Sequence, residues 1–120
     1  MIVEKRVYTL KAGKTGEYLA LYQAEGLLVQ TRHLGMLLGY YSADVGSLNQ
    51  IIHMWGYQDM NERAARRAAL YADPDWQRVV SRLFAMIERM ENSILTPAPF
   101  ALPQKSKLLL EAGDAARMAT

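Results

Sequence analysis

Residues 46–57 read GSLNQIIHMWGY, and the alternation inside this stretch decides the fold. Between residues 48 and 57, successive side chains of an extended chain point to opposite sides. Asn49, Ile51, His53, Trp55 and Tyr57 share one face, while Leu48, Ile52 and Met54, with Gln50 among them, take the other. The second set reads as a generic core face, and the first is polar and aromatic. Upstream, residues 36–43 form another apolar run, and Asp44-Val45-Gly46-Ser47 is the short polar link of a hairpin.

The same period of two holds over residues 2–10, with Ile2, Glu4, Arg6, Tyr8 and Leu10 on one face and Val3, Lys5, Val7 and Thr9 on the other. Lys11 to Lys14, containing Gly13, makes a turn. Thr15 is placed to cap a helix that runs to about His33, with Tyr18, Leu21, Tyr22, Leu28 and Val29 along one stripe and Gly35 as its stop. Asp59 and Glu62 form a capping-box pair at the start of a second helical segment. Asp73-Pro74 breaks and restarts that segment, because a proline inside a helix loses a hydrogen bond and clashes with the preceding turn. Trp76, Val79, Val80, Leu83, Ile87 and Met90 continue at helical spacing, and Ile94 to Leu102, interrupted by Pro97 and Pro99, is left for a short edge strand.

The resulting order is β-α-β-β-α with a short last β, which is the ferredoxin-like pattern of an α+β domain. It predicts one four-stranded antiparallel sheet with the helices on a single face. The opposite face must then be covered. Tyr8, Leu10, Ile51, Trp55 and Tyr57 are expected there and are too apolar to be left in water, so a homodimer is expected. Residues 1–102 read as one domain and 103–120 as a separate tail of Lys, Ala, Leu and Glu.

The 120 residues contain no cysteine, which excludes disulfides, thiolate catalysis and thiolate metal sites and fits a cytoplasmic location. No run approaches the roughly 18 apolar residues of a membrane span, and MIVEKRVYTL places charges where a signal peptide would be apolar. Fourteen basic against 12 acidic residues give a net charge of +2, too balanced to call for a nucleic-acid partner. Arg63, Arg66 and Arg67 lie on one helical face, with Arg78 and Arg82 further along, but no aromatics alternate with them, so they read as a solvated face. Seven tyrosines against two phenylalanines favour half-polar surroundings.

Four stretches resemble the NIPSNAP family. They are Glu4-x-Arg6-x-Tyr8-Thr9-Leu10 with Ala12-Gly13-Lys14, then Gly46-x-Leu48-Asn49-Gln50-Ile51-Ile52-His53-Met54-Trp55-x-Tyr57 with Arg63 beyond it, Asp73-Pro74-x-Trp76, and Ile94-Leu95-Thr96-Pro97. The resemblance covers about residues 3 to 102 and implies the dimeric α/β-barrel version of the fold. It also implies that Glu4, Arg6, Tyr8, Asn49, Trp55, Tyr57 and His53 point into the barrel.

Two kinds of function fit that set. One is a homodimeric small-molecule-binding or interaction module, in which an acid, a guanidinium, an imidazole and three aromatics orient a flat, partly polar ligand. The other is a cofactor-independent enzyme of monooxygenase or isomerase type, with His53 as a base near neutral pH and Arg6 holding a carboxylate or enolate. A purely structural network, with Glu4 bonded to Arg6 or His53, explains the same residues. Only two histidines are present, His33 and His53; His33 reads as a cation at a helix end, and no metal or cofactor is expected. There is no Gly-rich phosphate loop and no Ser/His/Asp signature.

Overall fold

The computed structural model describes residues 1–103; the tail expected from residue 103 lies, beyond Pro103 itself, outside the described residues. The chain runs β1 (Ile2–Leu10), α1 (Thr15–Leu21), a π-turn (Tyr22–Gly26), α2 (Leu27–Leu34), β2 (Met36–Ser42), β3 (Gln50–Tyr57), α3 (Met60–Ala72), α4 (Pro74–Phe84) and β4 (Ile87–Leu95). The strands form one sheet in the order β2-β3-β1-β4, every neighbouring pair antiparallel. This is the α+β, ferredoxin-like arrangement, and the helices pack on one side of the sheet.

Local chemistry accounts for most boundaries. Asp59 caps α3 by accepting the Glu62 backbone N–H at 2.8 Å, as the capping-box spacing requires. Asp73 ends α3 in an extended conformation and caps α4 by accepting from the Asp75 N–H at 2.8 Å, with Pro74 in the first turn. Gly35 stops α2 at φ +84, a backbone angle that suits a residue without a Cβ. Thr15 is the first residue of α1 and not its cap. The Lys11–Lys14 turn already closes with Lys14 helical, and the Lys14 carbonyl accepts from the Tyr18 N–H at 2.9 Å.

Two further expectations change. Ile87 and Met90 are not helical, because α4 ends at Phe84 and the last strand starts at Ile87, earlier than the expected 94–102. The strand is an edge strand, mostly exposed and laden with Glu88, Arg89 and Glu91, so it lacks the apolar alternation that marks a buried strand. The second change concerns which sheet face meets the helices. Tyr8, Leu10, Ile51, Trp55 and Tyr57 form one core with Tyr18, Tyr22, Val29, Leu34, Leu70, Trp76, Val79 and Leu83. The polar and aromatic face is therefore the helix-packed face. The face of Lys5, Val7, Ile52 and Met54, expected to be the core, is the half-exposed outer one. Alternation separates the two faces without ranking them. The wide rings of Tyr18, Tyr22 and Trp76 on the helices need large, hydrogen-bonding partners, which only the first face offers.

A bulge in β2 aims one further ring at the core. Leu37 pairs with Trp55, but Gly39 pairs with Met54 and Tyr40 with His53, so the register slips by one at Leu38. The extra residue turns Tyr40 to the same side as Leu37, onto His53. Among the described residues no helix is long and apolar enough to cross a membrane.

Leu70 is 1% exposed and Leu28 57%. Leu70→Ala should lower unfolding stability by about 2–5 kcal/mol, whereas Leu28→Ala should stay within about 0.5 kcal/mol. Denaturant titration of both variants checks the assignment of the core.

Candidate functional site

The centre of the site is His53 in the middle of β3, 1% exposed. The indole N–H of Trp55, two residues along and on the same face, donates to His53 Nδ1 at 2.7 Å. An indole nitrogen only donates, so Nδ1 is the acceptor and the proton of the neutral ring sits on Nε2. Tyr40 stacks on the imidazole at 4.7 Å between centroids, and Tyr22 stacks on Tyr40 at 4.6 Å. Tyr8 meets the imidazole edge-on at 4.8 Å. Behind the stack, Tyr22 Oη donates to the buried Gln30 Oε1, and Tyr40 Oη donates to Tyr18 Oη at 3.3 Å.

These side chains enclose a cavity of only about 10 Å³, lined by Tyr8, Tyr18, Tyr40, His53, Trp76 and Phe84 among others. That volume is at the lower limit for one water-sized oxygen. Wider hollows of about 340 Å³ beside Glu62 and Arg66, and about 770 Å³ between α1 and the end of α4, are open surface away from His53. His53 and Trp76 both line this cavity, and their buried Nε2 and Nε1 atoms have no partner among the described residues.

A charged network adjoins the aromatic cluster. The Glu4 side chain is fully buried and its Oε2 accepts from Arg63 Nη2 at 2.7 Å, Arg63 Nε at 3.0 Å and Arg6 Nη1 at 3.2 Å. Arg6 Nε also donates to Tyr8 Oη at 2.8 Å, which links the network to the cavity wall. Burial by itself would raise the Glu4 carboxyl, but the Arg63 hydrogen bonds and the Arg6 charge outweigh it and hold the group ionised. Burial raises the phenols of Tyr18, Tyr22 and Tyr40, so they remain neutral hydroxyls. Burial, helped by the Arg6 and Arg67 charges, lowers His53 to about 3.

Of the residues singled out from sequence, the structure brings Tyr8 and His53 together at the cavity, with Trp55 bonded to His53 behind it, and sets Glu4 and Arg6 beside them. Asn49 and Tyr57 are not part of it. Asn49 precedes β3 at φ +60, where its carbonyl accepts from the Leu10 N–H, and the buried Tyr57 hydroxyl has no partner among the described residues. The expectation that His53 faces away from the helices is wrong, since Tyr18, Tyr22 and Trp76 from the helical layer cover it. A base near neutral pH is also at odds with an imidazole whose Nδ1 is occupied and whose Nε2 bears the proton. His33, expected only to complement a helix end, lies 2.8 Å from Asp73 and ties α2 to the start of α4. Sequence reading missed Tyr40, Gln30 and Trp76 as site residues. The i, i+4 pair Tyr18 and Tyr22 was visible as a stripe, whereas the turn of Tyr40 toward His53 depends on a bulge that no periodicity announces.

The depressed His53 fixes a pH dependence. An unfolded chain takes up this proton near pH 6.5 while the folded one does not until about pH 3, so the unfolded state binds more protons between those values. The contribution is complete above pH 6.5 and is lost as the pH falls toward 3. Between pH 7 and pH 5 it removes about 2 kcal/mol of stability. His53→Gln should flatten that part of the profile, as read from urea midpoints across the range.

The NIPSNAP family model matches residues 3–102 of this chain. NipSnap homolog 3B of Mus musculus is 33% identical over 99 residues, which is 81% of this chain and 39% of that protein. NipSnap homolog 3A of Homo sapiens is 32% identical over 105 residues, 85% of this chain and 41% of that protein. This chain thus spans about two fifths of either relative. Among solved structures, a NIPSNAP family protein of Agrobacterium tumefaciens superposes with a TM-score of 0.82 at 47% identity, covering 83% of this chain and 95% of that one. A NIPSNAP-like domain protein of Burkholderia xenovorans gives 0.82 at 43% identity over 85% and 89%. An antibiotic biosynthesis monooxygenase shares the fold alone, at 19% identity and a TM-score of 0.58. With the family's model spanning residues 3–102 and solved members of the family superposing on the chain, the chain belongs to the NIPSNAP family.

Proposed function

We propose that this chain is a homodimeric small-molecule-binding module that takes its ligand between the sheet and the helices, at the cavity beneath His53. The observation that carries this reading is a pair of buried N–H groups, on His53 and Trp76, with no partner among the described residues. An unmade buried hydrogen bond costs about 1–3 kcal/mol, and the two side chains that carry these groups line the same small cavity. The aromatic lining supplies flat contact area around those donors. Binding is favoured over an isomerase-type activity because the His53 ring offers no free lone pair for proton abstraction. Screening a fragment set by NMR should move the Trp76 indole and His53 ring signals; shifts confined to the open surface hollows would defeat the reading.

The dimer is supported by the outer sheet face, where Val7, Ile52 and Met54 are half-buried and Leu95 is 41% exposed in a single chain. A second copy covers such a face by symmetry. Met54→Glu puts a charge in that contact and should give a folded monomer by light scattering with unchanged circular dichroism. A Met54→Glu protein that stays dimeric places the interface elsewhere.

Residues 1–102 are the proposed functional unit. A chain ending at Leu102 should keep the melting temperature and the oligomeric state of the full chain, and loss of folding on that truncation would show that the tail belongs to the core. A cytoplasmic location, in keeping with a cysteine-free chain, belongs to the same proposal, and recovery in a membrane or organelle fraction would refute it.

A further inference from the structure

We propose that Arg6, Arg63 and Arg67 form an anion-binding site at the open border between α3 and β4, and that its ligand is a small organic acid. The carboxylate bonds to the guanidinium groups, and the apolar body lies along the helix side of β4. The site goes beyond the cavity beneath His53. It shares only Tyr8 with the lining of that cavity and does not depend on a ligand there.

The first observation is how the cations are grouped. Arg6 Nη1 and Arg63 Nη2 both donate to Glu4 Oε2, at 3.2 and 2.7 Å, so two guanidinium groups flank a single carboxylate oxygen. Arg67 follows Arg63 by one turn on the same face of α3. It donates to Tyr71 Oη at 3.3 Å and has no carboxylate partner among the described residues. Its charge is felt at Tyr8, His53 and Tyr57, as is that of Arg6, which groups the two cations around the same side chains. Three guanidinium groups thus stand against the one carboxylate of Glu4, and the surplus charge is positive.

The second observation is access. Arg6 uses its Nε and Nη1, Arg63 its Nε and Nη2, and Arg67 its Nη2. Arg6 Nη2, Arg63 Nη1 and Arg67 Nη1 make no hydrogen bond among the described residues, and none of them is a buried atom left without a partner. These nitrogens are therefore open to solvent. The side chains that carry them are held in place, with Arg6 11% and Arg63 19% exposed. Fixed, cationic donors that solvent can reach suit a carboxylate, whose oxygens match the guanidinium fork.

The third observation is the surface beside them. Tyr8 lies opposite Met90, Arg6 opposite Asn92 and Glu4 opposite Ile94, so these β4 side chains are on the helix side of the sheet. Met90 and Ile94 are nevertheless 42% exposed each, because the helical layer stops short of β4. Tyr71, with Arg67 over its ring at 5.4 Å, is also exposed at the end of α3. The uncovered strip is apolar at both ends and has the Asn92 amide opposite Arg6. An acid with a hydrocarbon body covers it, and a bare inorganic anion does not.

The experiment uses the full chain at low salt, with 3-phenylpropionate, 3-phenylpropanamide and acetate as probes. Calorimetry should show the phenyl acid binding at least about tenfold more tightly than the uncharged amide or acetate. Arginine Nε–H signals of Arg6 and Arg67 should shift together with the methyl signals of Met90 and Ile94. Arg67→Gln should weaken the acid about tenfold and leave the amide unchanged, with circular dichroism like the wild type. Should that variant not fold, Met90→Glu, on the exposed edge strand, should weaken the acid in the same way. Equal affinity for acid and amide, or full affinity in the folded variant, overturns the site. Acetate binding as tightly as the phenyl acid overturns the part assigned to β4. Shifts confined to His53 and Trp76 put the acid in the inner cavity, so that this site fails and the cavity reading gains. No binding of the acid at millimolar concentration refutes the anion site and leaves the cavity reading to its own fragment screen.

Discussion

The burial of a polar face constrains this molecule more than any single contact. The helices close over Glu4, Tyr8, His53 and Trp55, a set of side chains that would be half-solvated on an uncovered sheet. Beneath a helical layer, each polar atom must find a partner from within the protein or cost free energy. Much of the packing answers that requirement. The Trp55 indole N–H and His53 Nδ1 satisfy one another, Tyr22 is satisfied by a buried glutamine, and Glu4 draws in guanidinium groups from its own strand and from α3.

The Glu4 pairing illustrates what such a face asks of distant residues. Arg63 is 59 positions away in sequence and reaches the carboxylate from the first turns of α3, so the ion pair couples the start of that helix to the centre of the sheet. A buried pair of this kind adds little net stability compared with well-packed apolar groups, yet removing one member leaves a charge stranded. Its effect is to set where α3 lies. Arg66 acts similarly at the surface side, where it donates to the His33 carbonyl at 3.0 Å beside Gly35 and joins α3 to the end of α2. His33 with Asp73 completes the link between the helices.

The π-turn between α1 and α2 belongs to the same picture. It widens the helix where Tyr22 and Gly26 face the core, with the Leu27 N–H bonded back to Tyr22. A Cβ on Gly26 would stand 2.9 Å from the Tyr22 ring and 3.6 Å from Trp76, so the absence of a side chain there lets both rings sit against the helix. Such turns interrupt regular helices where side chains must be re-aimed. Here the widened turn aims Tyr22 at the Tyr40–His53 stack, and the β2 bulge aims Tyr40 at it from the opposite side. Two local irregularities therefore converge on one imidazole.

The element order, the hairpin before Gln50, the break at Asp73-Pro74 and the strand positions of Glu4, Tyr8, His53 and Trp55 are legible in the sequence. Each depends on local chemistry: period-two alternation, a side chain that caps its own helix, a ring that cannot continue one. The family is legible for the same reason, since its motifs are runs of neighbouring residues. The start of the last strand was not, because an edge strand in contact with water carries no apolar signal. Nor was the choice of sheet face. Two alternating faces are equivalent until the volumes and hydroxyls of Tyr18, Tyr22 and Trp76 meet one of them, and that meeting is a property of the assembled layers. The tautomer of His53, the inward turn of Tyr40 and the joining of Arg63 to Glu4 likewise depend on distances between residues far apart in the chain, which only the tertiary structure decides.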